Sequence, residues 1–157
     1  MKIIENAIPL FYLKRALVEQ YSNFLKSFWF DAPFTAVYHK KLLEYAEDFT
    51  DVSNVIGAEE WSHNPSLGAL PGGHYDKDED LYERTGELLY PVCSCIWYLN
   101  VKNLVGGNLI VEGKEIVPKT NKLVLLKPRT WHDISEYKRG TRVGLYVNFW
   151  DRALNIA

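Results

Sequence analysis

Gly140-Thr141-Arg142-Val143-Gly144-Leu145-Tyr146-Val147-Asn148-Phe149-Trp150 alternates in character along its length. Successive side chains of a strand point to opposite faces, so Val143, Leu145, Val147 and Phe149 form one face and Arg142, Gly144, Tyr146 and Asn148 the other. The first face is ordinary core. The second turns a guanidinium inward or toward a cleft, and a guanidinium forks onto a carboxylate through two parallel hydrogen bonds. Gly144 beside it leaves room for a ligand.

The same short, β-branched and aromatic runs extend back to Asp51, punctuated by turn residues such as Gly106-Gly107, Glu112-Gly113 and Lys119-Thr120-Asn121. They predict strands near 55–62, 67–76, 91–100, 107–111, 114–117, 122–127, 131–136 and 141–149, with no helix between them. Upstream, 2–8 reads as a short strand ended by Pro9. Apolar residues near helical spacing predict amphipathic helices over 10–25 and 36–49. Helices first and then a series of strands imply a mainly β fold, an antiparallel sandwich or barrel buttressed by N-terminal helices. One domain is expected over 1–157, with helical support over about 1–50 and a β core over about 55–150.

The 157 residues carry a formal net charge of −2, which argues against nucleic acid or a membrane surface as partner. No apolar run approaches the roughly 18 residues that span a bilayer, and the N-terminus shows no signal-peptide pattern. Cys93 and Cys95 share a strand face, where a bridge would be strained. They read as reduced core thiols of a cytoplasmic protein.

Chemistry concentrates in Gly72-Gly73-His74-Tyr75-Asp76-Lys77-Asp78-Glu79-Asp80. On an extended chain His74 and Asp76 project side by side, placed to grip one metal ion. His132, in Thr130-Trp131-His132-Asp133, is the only histidine downstream. Two histidines and one carboxylate make the facial triad of non-haem iron(II) oxygenases, which leaves coordination positions open. A zinc hydrolase uses similar ligands but has no evident use for Arg142. A non-catalytic binding jelly roll has no need of the triad. The acidic run imitates a calcium loop but has Leu81 where that loop needs Gly. Segment 77–90 is a candidate lid, with Lys77 and Arg84 placed to meet an anionic substrate. His39 reads as a surface residue, His63 as structural with a place near the pocket as the alternative, and Trp97 and Trp131 as core or rim aromatics with the substrate mouth as the alternative.

These pieces together, His74-Tyr75-Asp76, Cys95-Ile96-Trp97-Tyr98-Leu99-Asn100, Gly106-Gly107-Asn108-Leu109, 118–126, His132 and Gly140-Thr141-Arg142, resemble the 2-oxoglutarate/iron(II)-dependent oxygenases, in particular the prolyl-hydroxylase-like subgroup. The resemblance covers about 60–150. It implies a double-stranded β-helix, a jelly-roll, cupin-like core. It implies iron(II) held by His74, Asp76 and His132, and 2-oxoglutarate as co-substrate with O2, with ascorbate as reductant. Arg142 then pairs with the distal carboxylate of 2-oxoglutarate, Tyr98 reaches the same carboxylate, and Leu109 packs against the co-substrate. Many relatives carry a Ser two residues after the Arg. Gly144 departs from that pattern and removes one hydrogen bond. The implied reaction is hydroxylation of a C–H bond with release of succinate and CO2. A prolyl residue in a peptide or protein is the first substrate expected, a free amino acid or other small molecule the alternative.

Overall fold

The computed structural model describes residues 1–21 and 23–156. Nine strands and three helices follow one another: β1 Lys2–Ile4, α1 Leu10–Gln20, β2 Phe28–Asp31, α2 Val37–Glu47, β3 Gly57–His63, α3 Glu79–Thr85, β4 Cys93–Val105, β5 Leu109–Val111, β6 Lys114–Ile116, β7 Leu123–Leu126, β8 His132–Ile134 and β9 Arg139–Trp150. Six strands form a large sheet in the order β1-β7-β4-β9-β3-β2 and three a small one in the order β6-β5-β8. Every pairing is antiparallel. Mainly β architecture with the two sheets face to face is the distorted jelly roll expected, helices on its back.

Each face of the large sheet has its own apolar layer, because strand residues alternate. On the back, Cys93, Cys95 and Trp97 of β4 and Val143, Leu145, Val147 and Phe149 of β9 meet Leu13 and Ala16 of α1 and Leu42 and Ala46 of α2. Both thiols are free and buried there. On the front, Ile96 and Tyr98 join Val124 and Leu126 of β7 and Leu109, Val111 and Ile116 of the small sheet. Trp97 is therefore core, its Nε1 donating to Asn121 Oδ1 at 3.1 Å.

Several elements differ from the sequence reading. The helix expected over 10–25 ends at Gln20; Ser22 lies outside the described residues. Beyond it Leu25 adopts a positive φ of 66° and donates its N–H to Ser62 O, so the chain turns onto β3 rather than continuing the helix. Residues 28–31, read as no element, extend the sheet by pairing with β3. Segment 67–76 is not a strand. It is loop as far as His74, which makes a single bridge to His132. Segment 77–90 contains a helix, α3, which is too short for periodicity to reveal. Its stop and start signals are in place: the Asp78 carboxylate caps Leu81 N, Glu79 and Asp80 face the positive helix end, and Gly86 closes it at φ 74°.

His39 is not a surface residue. It shares the inward face of α2 with Leu42 and Ala46 and is 1 % exposed. Its Nε2 lies 2.8 Å from the Glu60 carboxylate, which also accepts from the Tyr38 hydroxyl. A buried carboxylate on the helix side of β3 needs such partners, and the flanking Lys40 and Lys41 concealed this role in the sequence. No described helix is long and apolar enough to cross a membrane.

Asn121 ties the N-terminal segment to the core. Its side chain accepts from Ile8 N and Trp97 Nε1 and donates to Ile8 O at 2.7 Å. Asn121→Ala strands three buried polar groups, each costing about 1–3 kcal/mol when unpaired. The variant is expected to lose roughly 2–4 kcal/mol of stability, seen as a lower urea midpoint with an unchanged slope.

Candidate metal and co-substrate site

The front of the large sheet presents its side chains in rows, because β3, β9 and β4 are in register. Glu59, Asn148 and Ser94 form one row, Trp61, Tyr146 and Ile96 the next, and His63, Gly144 and Tyr98 the third. Facing these rows, His74 and His132 meet at the edge of the small sheet. Their backbones exchange two hydrogen bonds, His74 N to His132 O at 2.9 Å and the reverse at 3.1 Å. The bridge sets the two imidazoles side by side, ring centroids 4.5 Å apart.

Asp76 completes the cluster. Its Oδ1 lies 3.2 Å from His74 Nε2 and 3.5 Å from His132 Nε2. One donor atom from each residue falls within 4.8 Å of the other two. Donors on adjacent octahedral positions around an ion with bonds of about 2.1 Å sit about 3 Å apart, so the three residues fit a transition-metal ion. The outer shell fits as well. His74 Nδ1 hydrogen-bonds Gly72 O at 2.8 Å and His132 Nδ1 hydrogen-bonds Thr130 O at 3.0 Å. Each Nδ1–H is donated to a carbonyl, which leaves Nε2 of both rings as the nitrogen facing the shared centre. Burial works to raise the Asp76 carboxyl, but hydrogen bonds from His132 and His74 and the positive field around them hold it well below the usual carboxylate range. The bond to Asp76 raises the His74 ring above its ordinary value.

A cavity of about 360 Å³ opens beside the three residues, walled also by Trp61, His63, Ile96, Leu109, Arg142 and Tyr146. Arg142 is wholly buried. Its Nε donates to Gly107 O at 2.8 Å and one terminal nitrogen to the Tyr146 hydroxyl at 3.0 Å; the other, Nη2, has no partner among the described residues. Gly107, at φ 69°, is the close neighbour that permits this: a Cβ there would lie 3.1 Å from Arg142 Cδ. The guanidinium carbon sits 5.2 Å from the centre of the Tyr98 ring. The Tyr98 hydroxyl is buried without a partner, and burial pushes it above its ordinary range. Leu109 is buried and lines the same cavity.

Other expected residues fall elsewhere. Lys77 pairs with Glu79 at 3.1 Å and Arg84 with Asp80 at 2.9 Å, so both have local anionic partners. Trp131 is 51 % exposed at the rim, edge-on to Tyr75 and lying over Gly73. The space expected beside Gly144 is taken by Tyr146 itself, whose hydroxyl would be 2.9 Å from a Cβ at that position. The sequence reading missed Trp61, Tyr146 and Glu59 as site residues, and gave His63 a place near the pocket only as the alternative to a structural part. The alternation Glu59, Trp61, His63 within a strand was the available signal; which face it lined was not. Glu59 is an acid beside this centre, on a neighbouring hollow that it lines with His74 and Asp76. Removal from water is the main force pushing its carboxyl up to about 7, with Asp76 and Asp78 adding to it, while Trp150 and Asn148 pull it back. Trp150 Nε1 makes no hydrogen bond of good geometry, so its pull is that of a nearby dipole.

No protein-family model matches this sequence, and comparison with curated proteins finds no relative. Solved structures do match. A Pseudomonas putida prolyl-4-hydroxylase superposes with TM-score 0.59 at 16 % identity, over 97 % of this chain and 92 % of that one. The viral collagen prolyl hydroxylase of Paramecium bursaria Chlorella virus-1, in its 2OG complex, gives 0.60 at 12 % identity over 94 % of each chain. A 2OG-Fe(II) oxygenase family oxidoreductase from Burkholderia pseudomallei gives 0.59 at 11 %, over 98 % of this chain and 86 % of that one. The fold is thus that of the prolyl-hydroxylase-like 2-oxoglutarate/iron(II) oxygenases, a cupin-like double-stranded β-helix.

His74→Ala and His132→Ala are each expected to weaken divalent metal binding at least about 100-fold, read by calorimetric titration of Mn(II) or Fe(II). Binding by the unaltered chain is expected to weaken on acidification from pH 7.5 to 5.5, since the His74 ring would have to release its proton to bind. Glu59 supplies a separate test in the metal-free protein. A carboxyl raised by folding favours the native state below its unfolded pKa, and that contribution is lost as pH rises through about 7. Discounted for partial exposure, Glu59→Gln is expected to gain about 1–2 kcal/mol at pH 8 relative to pH 4.5, measured as urea unfolding at the two pH values.

Proposed function

We propose that this chain is an iron(II)- and 2-oxoglutarate-dependent dioxygenase that hydroxylates a C–H bond, with a prolyl residue of a peptide or protein as substrate. The observation that carries this reading is one cavity that joins the His74, Asp76 and His132 donor set to a buried Arg142 with an unsatisfied guanidinium nitrogen. A zinc hydrolase has no task for that arginine. A keto diacid has two ends to hold, and the cavity offers a distinct partner for each.

His74, Asp76 and His132 would hold the ion, with both rings oriented by their carbonyl partners. Iron(II) bound there supplies the activation of O2 that couples decarboxylation of 2-oxoglutarate to C–H hydroxylation, giving succinate and CO2. Arg142 receives the distal carboxylate, supported by Tyr98. Ile96 and Leu109 keep that end dry, which strengthens each charged contact. Segment 1–50 acts as the support of this same domain. A peptide rather than a free amino acid is favoured by the exposed Trp131 with Tyr75 and Tyr90 beside the metal residues, an aromatic rim of the kind that extended proline-rich chains dock on. The neighbouring prolyl-4-hydroxylase and collagen prolyl hydroxylase agree with that choice.

Anaerobic addition of Fe(II) and then 2-oxoglutarate should produce a weak visible charge-transfer band, absent in His74→Ala. Iron binding with no such band would sink the oxygenase reading. With a proline-containing peptide as substrate, Arg142→Ala should raise the 2-oxoglutarate requirement about 100-fold while iron stays bound.

A further inference from the structure

We infer that Tyr146 is a co-substrate-binding residue, its phenol delivering into the Gly144 slot the hydrogen bond that a side chain at 144 would otherwise supply. The inference rests on the oxygenase reading and concerns how this chain holds the far carboxylate of its keto acid.

The geometry comes from strand register. Gly144 lies between Tyr98 on one neighbouring strand and His63 on the other, so the row across the sheet has a gap at its centre. Tyr146, two residues on and on the same face, leans back along the strand over that gap. A Cβ built on Gly144 would meet the Tyr146 Oη at 2.9 Å, Cζ at 3.1 Å and Cε2 at 3.3 Å. A side chain at 144 would push Tyr146 from this position. The ring is held there from above. It stacks on Trp61, its partner in register, with centroids 5.5 Å apart and planes 15° from parallel.

The hydroxyl arrives at Arg142 as an acceptor, taking one guanidinium N–H at 3.0 Å. A phenol that accepts still has its own proton to give, and no bond donated from it is found among the described residues. On the same cavity, Arg142 Nη2 is a buried donor likewise without a partner, and the Tyr98 hydroxyl, also unpartnered, belongs to a ring 5.2 Å from the guanidinium carbon. Buried donors left unpaired beside an apolar cavity are costly unless an acceptor joins them. A carboxylate, acceptor-only with two oxygens, satisfies that set. The phenol, already polarised by the guanidinium it accepts from, is the stronger donor for it.

The test separates this role from a structural one and from failure of the parent reading. Calorimetry on the Mn(II)-loaded protein would compare 2-oxoglutarate with 2-oxopentanoate, which keeps the keto-acid head and lacks the distal carboxylate. Tyr146→Phe keeps the ring on Trp61 and removes only the hydroxyl. It is expected to raise the Kd for 2-oxoglutarate about 10-fold, the size of a hydrogen bond to a charged group, and to leave the Kd for 2-oxopentanoate unchanged. Equal 2-oxoglutarate affinity in the unaltered chain and Tyr146→Phe would overturn the inference. Equal weakening toward both keto acids would overturn it too, by showing that the residue only shapes the cavity. An unaltered chain that binds Mn(II) but not 2-oxoglutarate would overturn the oxygenase reading itself.

Discussion

Strand β9 is hydrogen-bonded along both edges, to β4 on one side and β3 on the other, and the rest of the molecule is arranged around that constraint. A strand paired on both sides cannot slip by one residue without exchanging its faces. Its back face, Val143 to Phe149, is fixed against the helices, so its front face must carry Arg142, Gly144, Tyr146 and Asn148. The partners are bound by the same logic. Tyr98, Ile96 and Ser94 on one flank and His63, Trp61 and Glu59 on the other are turned forward by register alone. The functional wall is thus a by-product of how the core closes behind it.

Charge is managed differently at the two ends of the cavity. At the metal end, opposite tendencies are brought together: a carboxylate that burial would neutralise is kept ionised by two imidazoles. At the arginine end the charge is buried with less than full compensation, two of the guanidinium nitrogens used on Gly107 and Tyr146 and the third left without a partner. Glu59 forms a third case, a carboxyl raised toward neutrality by burial and by the acids near it. Under the same desolvation one acid stays ionised and another is partly protonated, and the difference is the pair of imidazoles hydrogen-bonded to Asp76. On the back of the sheet, Glu60 meets burial with Tyr38 and His39 instead. Adjacent glutamates in the sequence therefore serve opposite faces, one the site and one the helix packing.

Long alternating runs were legible, because period-2 patterning survives whatever the neighbours are. β4, β7 and β9 lie close to where alternation and β-branched residues placed them. Short elements divided. The strands read near 107–111, 114–117 and 131–136 overlap β5, β6 and β8, because turn residues mark their ends, whereas β2 Phe28–Asp31 and the helix Glu79–Thr85 carry too few residues for a period to show. The stretch 67–76 has strand-like composition at its end, yet a single bridge at His74 is all the pairing it makes. His39 was misread because the charge of its chain neighbours suggested solvent, while its own side chain follows the inward face of α2.

What the amino-acid order determined by itself is which residue types could share a centre. His74 and Asp76 are near each other in any conformation, and the alternation of 140–150 commits Arg142 and Tyr146 to one face wherever that strand lies. What only the tertiary structure decided is the set of distances that make chemistry possible. His132 reaches Asp76 through a backbone bridge between remote segments. Gly144 becomes a gap filled by Tyr146 only because Trp61 stacks on that ring from β3. The reason is physical. Periodicity is a property of a strand and is written locally, whereas register across strands is settled by which side chains of distant segments can close-pack together.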